Sequence, residues 1–125
     1  MMFKETITLY NRVADGYNDR YECTILKNVE IQPTNSIKNN NSTDKFKLFI
    51  NINSQNKLYV KPKEYDKSLD KSHCFTVRTG DFFVLGEVTI DNATYQSINK
   101  KYDDVYNVTS IKEYSVIPHL EVGGN

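Results

Sequence analysis

The chain contains no tryptophan, only two cysteines (Cys23 and Cys74) and only five glycines in 125 residues. Without tryptophan it lacks the usual aromatic platform of a carbohydrate cleft, which weighs against a glycosidase built on its carboxylates. Two cysteines are too few for a disulfide framework, so both are expected as thiols. No sign of charge is in surplus, because sixteen basic residues balance sixteen acidic ones. The basic footprint that usually marks a nucleic-acid-binding domain is therefore missing. No apolar run is long enough for a signal peptide or a bilayer span, which leads to the expectation of a cytosolic protein. A glycine-rich phosphate loop, a G-x-S-x-G elbow and an H-E-x-x-H pair are also missing. The sequence thus gives no support to an enzyme, and neither a cofactor nor a metal is expected.

What the chain does have is lysine (thirteen against three arginines), asparagine (fourteen) and tyrosine (nine). Its four N-x-S/T matches, at Asn40, Asn41, Asn92 and Asn107, are expected by chance at that asparagine content. The apolar period is two almost throughout. Thr6 to Tyr10 alternates as a half-buried strand, and Asp15 to Asp19 reads as a hairpin turn. Tyr21 to Ile31 reads as the second strand, interrupted at Lys27-Asn28 by a bulge that would bend it as a barrel requires. Lys45 to Asn53 has the sharpest alternation, with Phe46, Leu48, Ile50 and Ile52 on one face. Gln55-Asn56 is expected to turn the chain into Leu58 to Val60, making a second hairpin.

Phe75 to Arg78 and Phe82 to Ile90 read as further strands, the latter with Gly86 as a kink. Asn92 to Tyr102 allows one or two helical turns. The last segment gives strands Val105 to Ile111 and Ser115 to Val122, stopped by a glycine pair. Two polar stretches interrupt the strands: Pro33 to Asp44, expected as a long loop, and Lys61 to Ser72, an irregular excursion with one helical turn around Glu64 to Leu69. The whole predicts an all-β chain of one domain, a small barrel or sandwich of about seven or eight short strands.

Three constellations could carry chemistry. Cys23, His73, Cys74 and His119 are potential zinc ligands, but no close pair of the C-x2-C kind is present, and adjacent His73 and Cys74 would point to opposite faces. Asp81, Glu87, Asp103 and Asp104 are candidate acid–base carboxylates, yet their contexts read as turns and solvated strand ends. Tyr59 and Tyr65, with Lys57, Lys61, Lys63 and Lys67 nearby, could form a base-stacking face for single-stranded nucleic acid, although Glu64, Asp66 and Asp70 lie among the lysines.

Five segments carry a resemblance: ETITLYNR (Glu5 to Arg12), YECTILKNVEI (Tyr21 to Ile31), LYVKPKEYDK (Leu58 to Lys67), FTVRTGDFFVLGEV (Phe75 to Val88) and VYNVTSIKEYSVIPHLEVGG (Val105 to Gly124). Together and in this order they resemble small head-to-tail joining proteins of tailed phages and prophages of low-GC Gram-positive bacteria, similar in layout to head-closure, or stopper, proteins. The abundance of lysine, asparagine, tyrosine and isoleucine, as from an AT-rich coding sequence, points the same way. The resemblance implies a β-barrel whose copies form a ring in the virion neck, assembled in the host cytoplasm. Its partners would be a portal or adaptor protein above and a tail terminator or tail protein below, with genomic DNA passing through without sequence-specific binding. A tail terminator or tail-completion protein of the same neck is the alternative. The contacts are expected in the 33–44 loop (Ile37, Asn40) and the 61–72 excursion (Lys63, with Tyr65 as anchor), and at His119.

Overall fold

A computed structural model describes residues 5–15, 18–33, 45–88, 95–115 and 118–125. Six strands form a closed barrel, every neighbouring pair antiparallel: β1 (Glu5–Asp15), β2 (Asn18–Pro33), β3 (Phe46–Asn51), β6 (Phe82–Leu85), β7 (Val105–Tyr114) and β8 (His119–Gly124). The order around the barrel is β1-β2-β3-β8-β7-β6 and back to β1. Two further strands, β4 (Leu58–Tyr59) and β5 (Cys74–Phe75), pair in parallel outside that ring. Among the described residues the helices are α1 (Pro62–Lys67) and α2 (Tyr95–Lys101), with 3-10 turns at Ile52–Ser54 and Lys71–His73. Of the all-β barrel or sandwich expected from the alternation, the barrel is the fold observed.

Alternation fills the barrel. Ile7 and Leu9 of β1, Leu26 and Val29 of β2, Leu48 and Ile50 of β3, and Leu120 and Val122 of β8 all join one buried cluster, as inward positions of a period-two strand must. Phe75 and Val77, from the excursion, enter the same cluster. The opposite face of β1 and β6 builds a second cluster outside the barrel, where Tyr10 stacks on Phe82 at 4.7 Å. Ile98 of α2 and Val88 complete it. Thr8 holds the chain beside this cluster after β6 ends, its hydroxyl donating to Gly86 O and accepting from Val88 N, both at 2.8 Å.

The bulge expected at Lys27-Asn28 is present. Between Glu5↔Val29 and Ile7↔Leu26, β2 advances three residues while β1 advances two, and Asn28 takes a positive φ of 58°. The peptide groups of Lys27 do not go unpaired. The Gln55 side chain accepts from Lys27 N at 2.9 Å and donates to Lys27 O at 2.6 Å, standing in for a missing strand.

Two expectations are corrected. The second hairpin does not form, because β2 and β8 already occupy both edges of β3. With no edge free, the chain leaves the barrel through a 3-10 turn and β4 pairs with β5 instead. The glycine pair does not stop the last strand either. Gly123 and Gly124 lie within β8, opposite Lys47 and Phe46 of β3. Gly124 is there for space: a Cβ on it would lie 2.7 Å from Cζ of the buried Phe83 and 3.2 Å from Asn107 O. Gly124→Ala is therefore expected to destabilise the protein by about 1–3 kcal/mol through overpacking, read as a lower urea midpoint; an unchanged midpoint would mean that the Phe83 ring yields freely.

Candidate assembly surface

Residues 52–79 leave the barrel and return to it, and several bonds fix them. Tyr59 packs edge-on against Phe75 at 5.6 Å between ring centres. Lys57 Nζ donates to Cys23 O at 3.1 Å and Thr24 Oγ1 at 3.0 Å on β2. Proline opens α1 at a position where its missing N–H is not needed, and Ser68 N closes it by donating to Tyr65 O. Arg78 grips Asp66 of α1 with two bonds of 2.9 Å and donates a third, of 3.0 Å, to Arg12 O on β1. This guanidinium holds the Asp66 carboxyl below the usual carboxylate range, and Asp66 in turn raises the Arg78 value.

Beneath that bridge lies Asp81, fully buried. Its Oδ1 accepts from Arg12 N at 2.8 Å; its Oδ2 accepts from Asn11 Nδ2 at 2.8 Å and Arg78 N at 3.0 Å. Asn11 also donates to Thr76 O at 2.6 Å and accepts from Thr76 N at 3.4 Å. One carboxylate and one amide thus join β1, the turn into β6 and the end of the excursion. Burial pushes the Asp81 carboxyl above its ordinary value, against these donors and the nearby Arg78 charge, which pull it down.

Two large apolar side chains stand exposed on this otherwise polar and charged scaffold. Leu69 is fully exposed and Leu58 is 68% exposed. Leu58 also lines an open depression of about 380 Å³ with Val60, Cys74, Glu64, Lys67 and His73. Neither leucine stands out in the sequence reading, although an isolated leucine between charged neighbours, as in KSLDKS, was the available signal. The helix ends at Lys67 and Ser68 is extended (φ −69°, ψ 128°), so Leu69 leaves the helical face on which Tyr65 lies.

The residues expected at the contacts fall out differently. Lys63 is exposed on α1. Tyr65 is fully buried and so is no surface anchor; its ring lies under Lys71 Nζ, 5.2 Å from the centroid. His119 is half-buried, stacked on the partly exposed Tyr114 at 4.6 Å and 3°, with the Phe49 ring 6.4 Å away. Ile37 and Asn40 lie outside the described residues.

The chemical constellations are not assembled. Among the described residues no group of three or more His, Cys, Asp or Glu could hold a metal ion. The Sγ atoms of Cys23 and Cys74 lie 3.7 Å from Val88 O and from Ser68 Oγ respectively. Asp81 and Glu87 flank opposite ends of β6, and His119 pairs with Tyr114, at the far end of β7 from the Asp81 contact at Val108 N. At roughly 3.3 Å per residue, the six steps from Val108 to Tyr114 span about 20 Å. Tyr59 and Tyr65 do not make a stacking face, since one packs on Phe75 and the other is buried.

A model for a family described as a family of unknown function (DUF6751) matches residues 2–125. No curated protein and no solved structure matches the chain.

The Asp81 site generates a pH prediction. A carboxyl whose value is higher folded than unfolded binds more protons in the folded state, so its contribution to stability falls as pH rises. The unfolding free energy of wild type minus that of Asp81→Asn is expected to decrease with pH, from the ordinary carboxyl value of about 3.9 upward through Asp81's raised one. Urea titrations across that window check it. A difference that grows with pH would show that the N–H donors outweigh burial.

Proposed function

We propose, from the premise that this chain belongs to the DUF6751 family of unknown function, that it is a structural subunit of a tailed-phage virion. It acts as a ring in the head–tail connector, in the head-closure or adaptor tier, and performs no catalysis. The observation that carries this reading is the exposed leucine pair, Leu58 and Leu69, on an excursion bound firmly to a closed barrel. Solvent-exposed apolar side chains on a fixed support are what a subunit-to-subunit contact uses. A ring closes through heterologous contacts that repeat under rotation, and loops on a rigid scaffold supply them.

Two further features support the reading. The five segments that resemble phage neck proteins include those that build β1, β2, β6, β7 and β8 and the excursion carrying Leu58. The chain's formal net charge of zero limits repulsion between copies in a ring and avoids a lining that would grip passing DNA phosphates. The partners are then a portal or adaptor ring on one side and a tail or tail-terminator protein on the other.

The reading is tested by mass spectrometry of purified particles from the host that carries the gene. The protein is expected among the virion proteins, in ring stoichiometry; its consistent absence from infectious particles would refute the proposal. At residue level, Leu58→Ser with Leu69→Ser is expected to change monomer stability by less than about 0.5 kcal/mol, as exposed positions do. Assembly onto the partner ring is expected to weaken by roughly 30-fold, the effect of losing about 2 kcal/mol at a contact centre, measured by binding to the isolated neighbouring neck protein.

A further inference from the structure

Three polar atoms in the layer between α1 and the barrel are buried with no hydrogen-bond partner among the described residues: Tyr65 Oη, Thr76 Oγ1 and Arg78 Nε. Their placement is not scattered. Phe75 and Val77 enter the barrel core, so Thr76 between them faces the other way, together with Cys74 and Arg78 two residues to either side. That other side is α1: Cys74 Sγ lies 3.7 Å from Ser68 Oγ, and Arg78 holds Asp66. The one buried residue of α1 is Tyr65, whose hydroxyl lies within electrostatic reach of Glu22 and Arg20 on β2 as well as of Cys74, Asp81 and Arg78. Two fully buried hydroxyls and a guanidinium N–H therefore share one thin layer.

Leaving all three unpaired is costly, and native interiors rarely do so. We propose that this layer is a binding site for an internal water, shared by Tyr65 Oη, Thr76 Oγ1 and Arg78 Nε. The donor and acceptor capacities match. Arg78 Nε–H can only donate, whereas each hydroxyl donates or accepts. A water that accepts from Arg78 and from one hydroxyl, and donates to the other, makes the three bonds usual for buried water. A charged ligand suits the layer less well, since an anion would meet the Asp81 carboxylate and a cation the Arg78 guanidinium. The water connects α1 to Thr76, whose backbone Asn11 of β1 holds from both sides. It is thus part of what orients the excursion, and it does not depend on the phage reading.

The test is a high-resolution crystal structure of the full chain, with Tyr65→Phe and Thr76→Val variants compared in solution. Expected is an ordered water within hydrogen-bond distance of all three atoms, and a fall in Tm on the order of 4 °C for Tyr65→Phe. In wild-type protein, NMR is expected to show magnetisation transfer from a long-lived water to the Tyr65 hydroxyl. A dry layer overturns the proposal, whether the two hydroxyls bond directly or stay unpaired. So does a rise in Tm for Tyr65→Phe, because removing an unpaired buried hydroxyl relieves a cost where removing a bonded one adds it.

Discussion

Closure of the barrel between β1 and β6 is the constraint on which the rest of the structure depends. Once Ile7 to Tyr10 pair with Leu85 to Phe82, the six-strand ladder has no open edge. Every segment not in the ladder must then find its hydrogen bonds elsewhere. Residues 52–79 do so with a two-residue parallel pair, a six-residue helix and side chains reaching back to β2. The surface that this segment offers is thus a by-product of closure: the chain has no place in the sheet, so it lies over it and turns Leu58 and Leu69 outward.

A second dependence is electrostatic. Asp81 would be an expensive residue to bury alone, but its two oxygens gather N–H donors from Asn11, Arg12 and Arg78. Those donors come from two parts of the chain nearly seventy residues apart. The carboxylate fixes where the Gly80 turn, with its positive φ of 100°, sits against β1. Arg78 then extends the same lattice outward to Asp66, so a buried acid positions an exposed helix through two intermediaries. Substituting an exposed residue of α1 other than Asp66 leaves that chain of bonds intact, whereas changing Asn11 or Asp81 disturbs it at its base.

The barrel was legible in the sequence because its strands bury one face. Leu48 and Ile50, or Ile7 and Leu9, fall two apart and can only face one way, and the break at Lys27-Asn28 marks its own bulge. The pairing of β4 was not legible: two residues carry no period, and whether β3 has a free edge depends on β8, about seventy residues later. The strand role of Gly123 and Gly124 was hidden for another reason, since glycine as a stop and glycine as room for the Phe83 ring are spelled alike. The contact residues were the least legible. Tyr65 and Leu69 are four apart, as neighbours on one helical face would be, yet the helix ends between them. One goes in and the other out.

The β1–β6 ladder also bears on time. Ile7 and Leu85 are partners separated by 78 positions in sequence, whereas β1 meets β2 across a hairpin and β7 meets β8 across another. Chain entropy opposes the distant pairing until nearer contacts have shortened the effective loop. The hairpins can form early, and the ring closes when β6 arrives with the excursion already behind it. Until then β1 and β6 each expose a bare strand edge, so the interval before closure is when copies of this chain are most able to pair wrongly with one another.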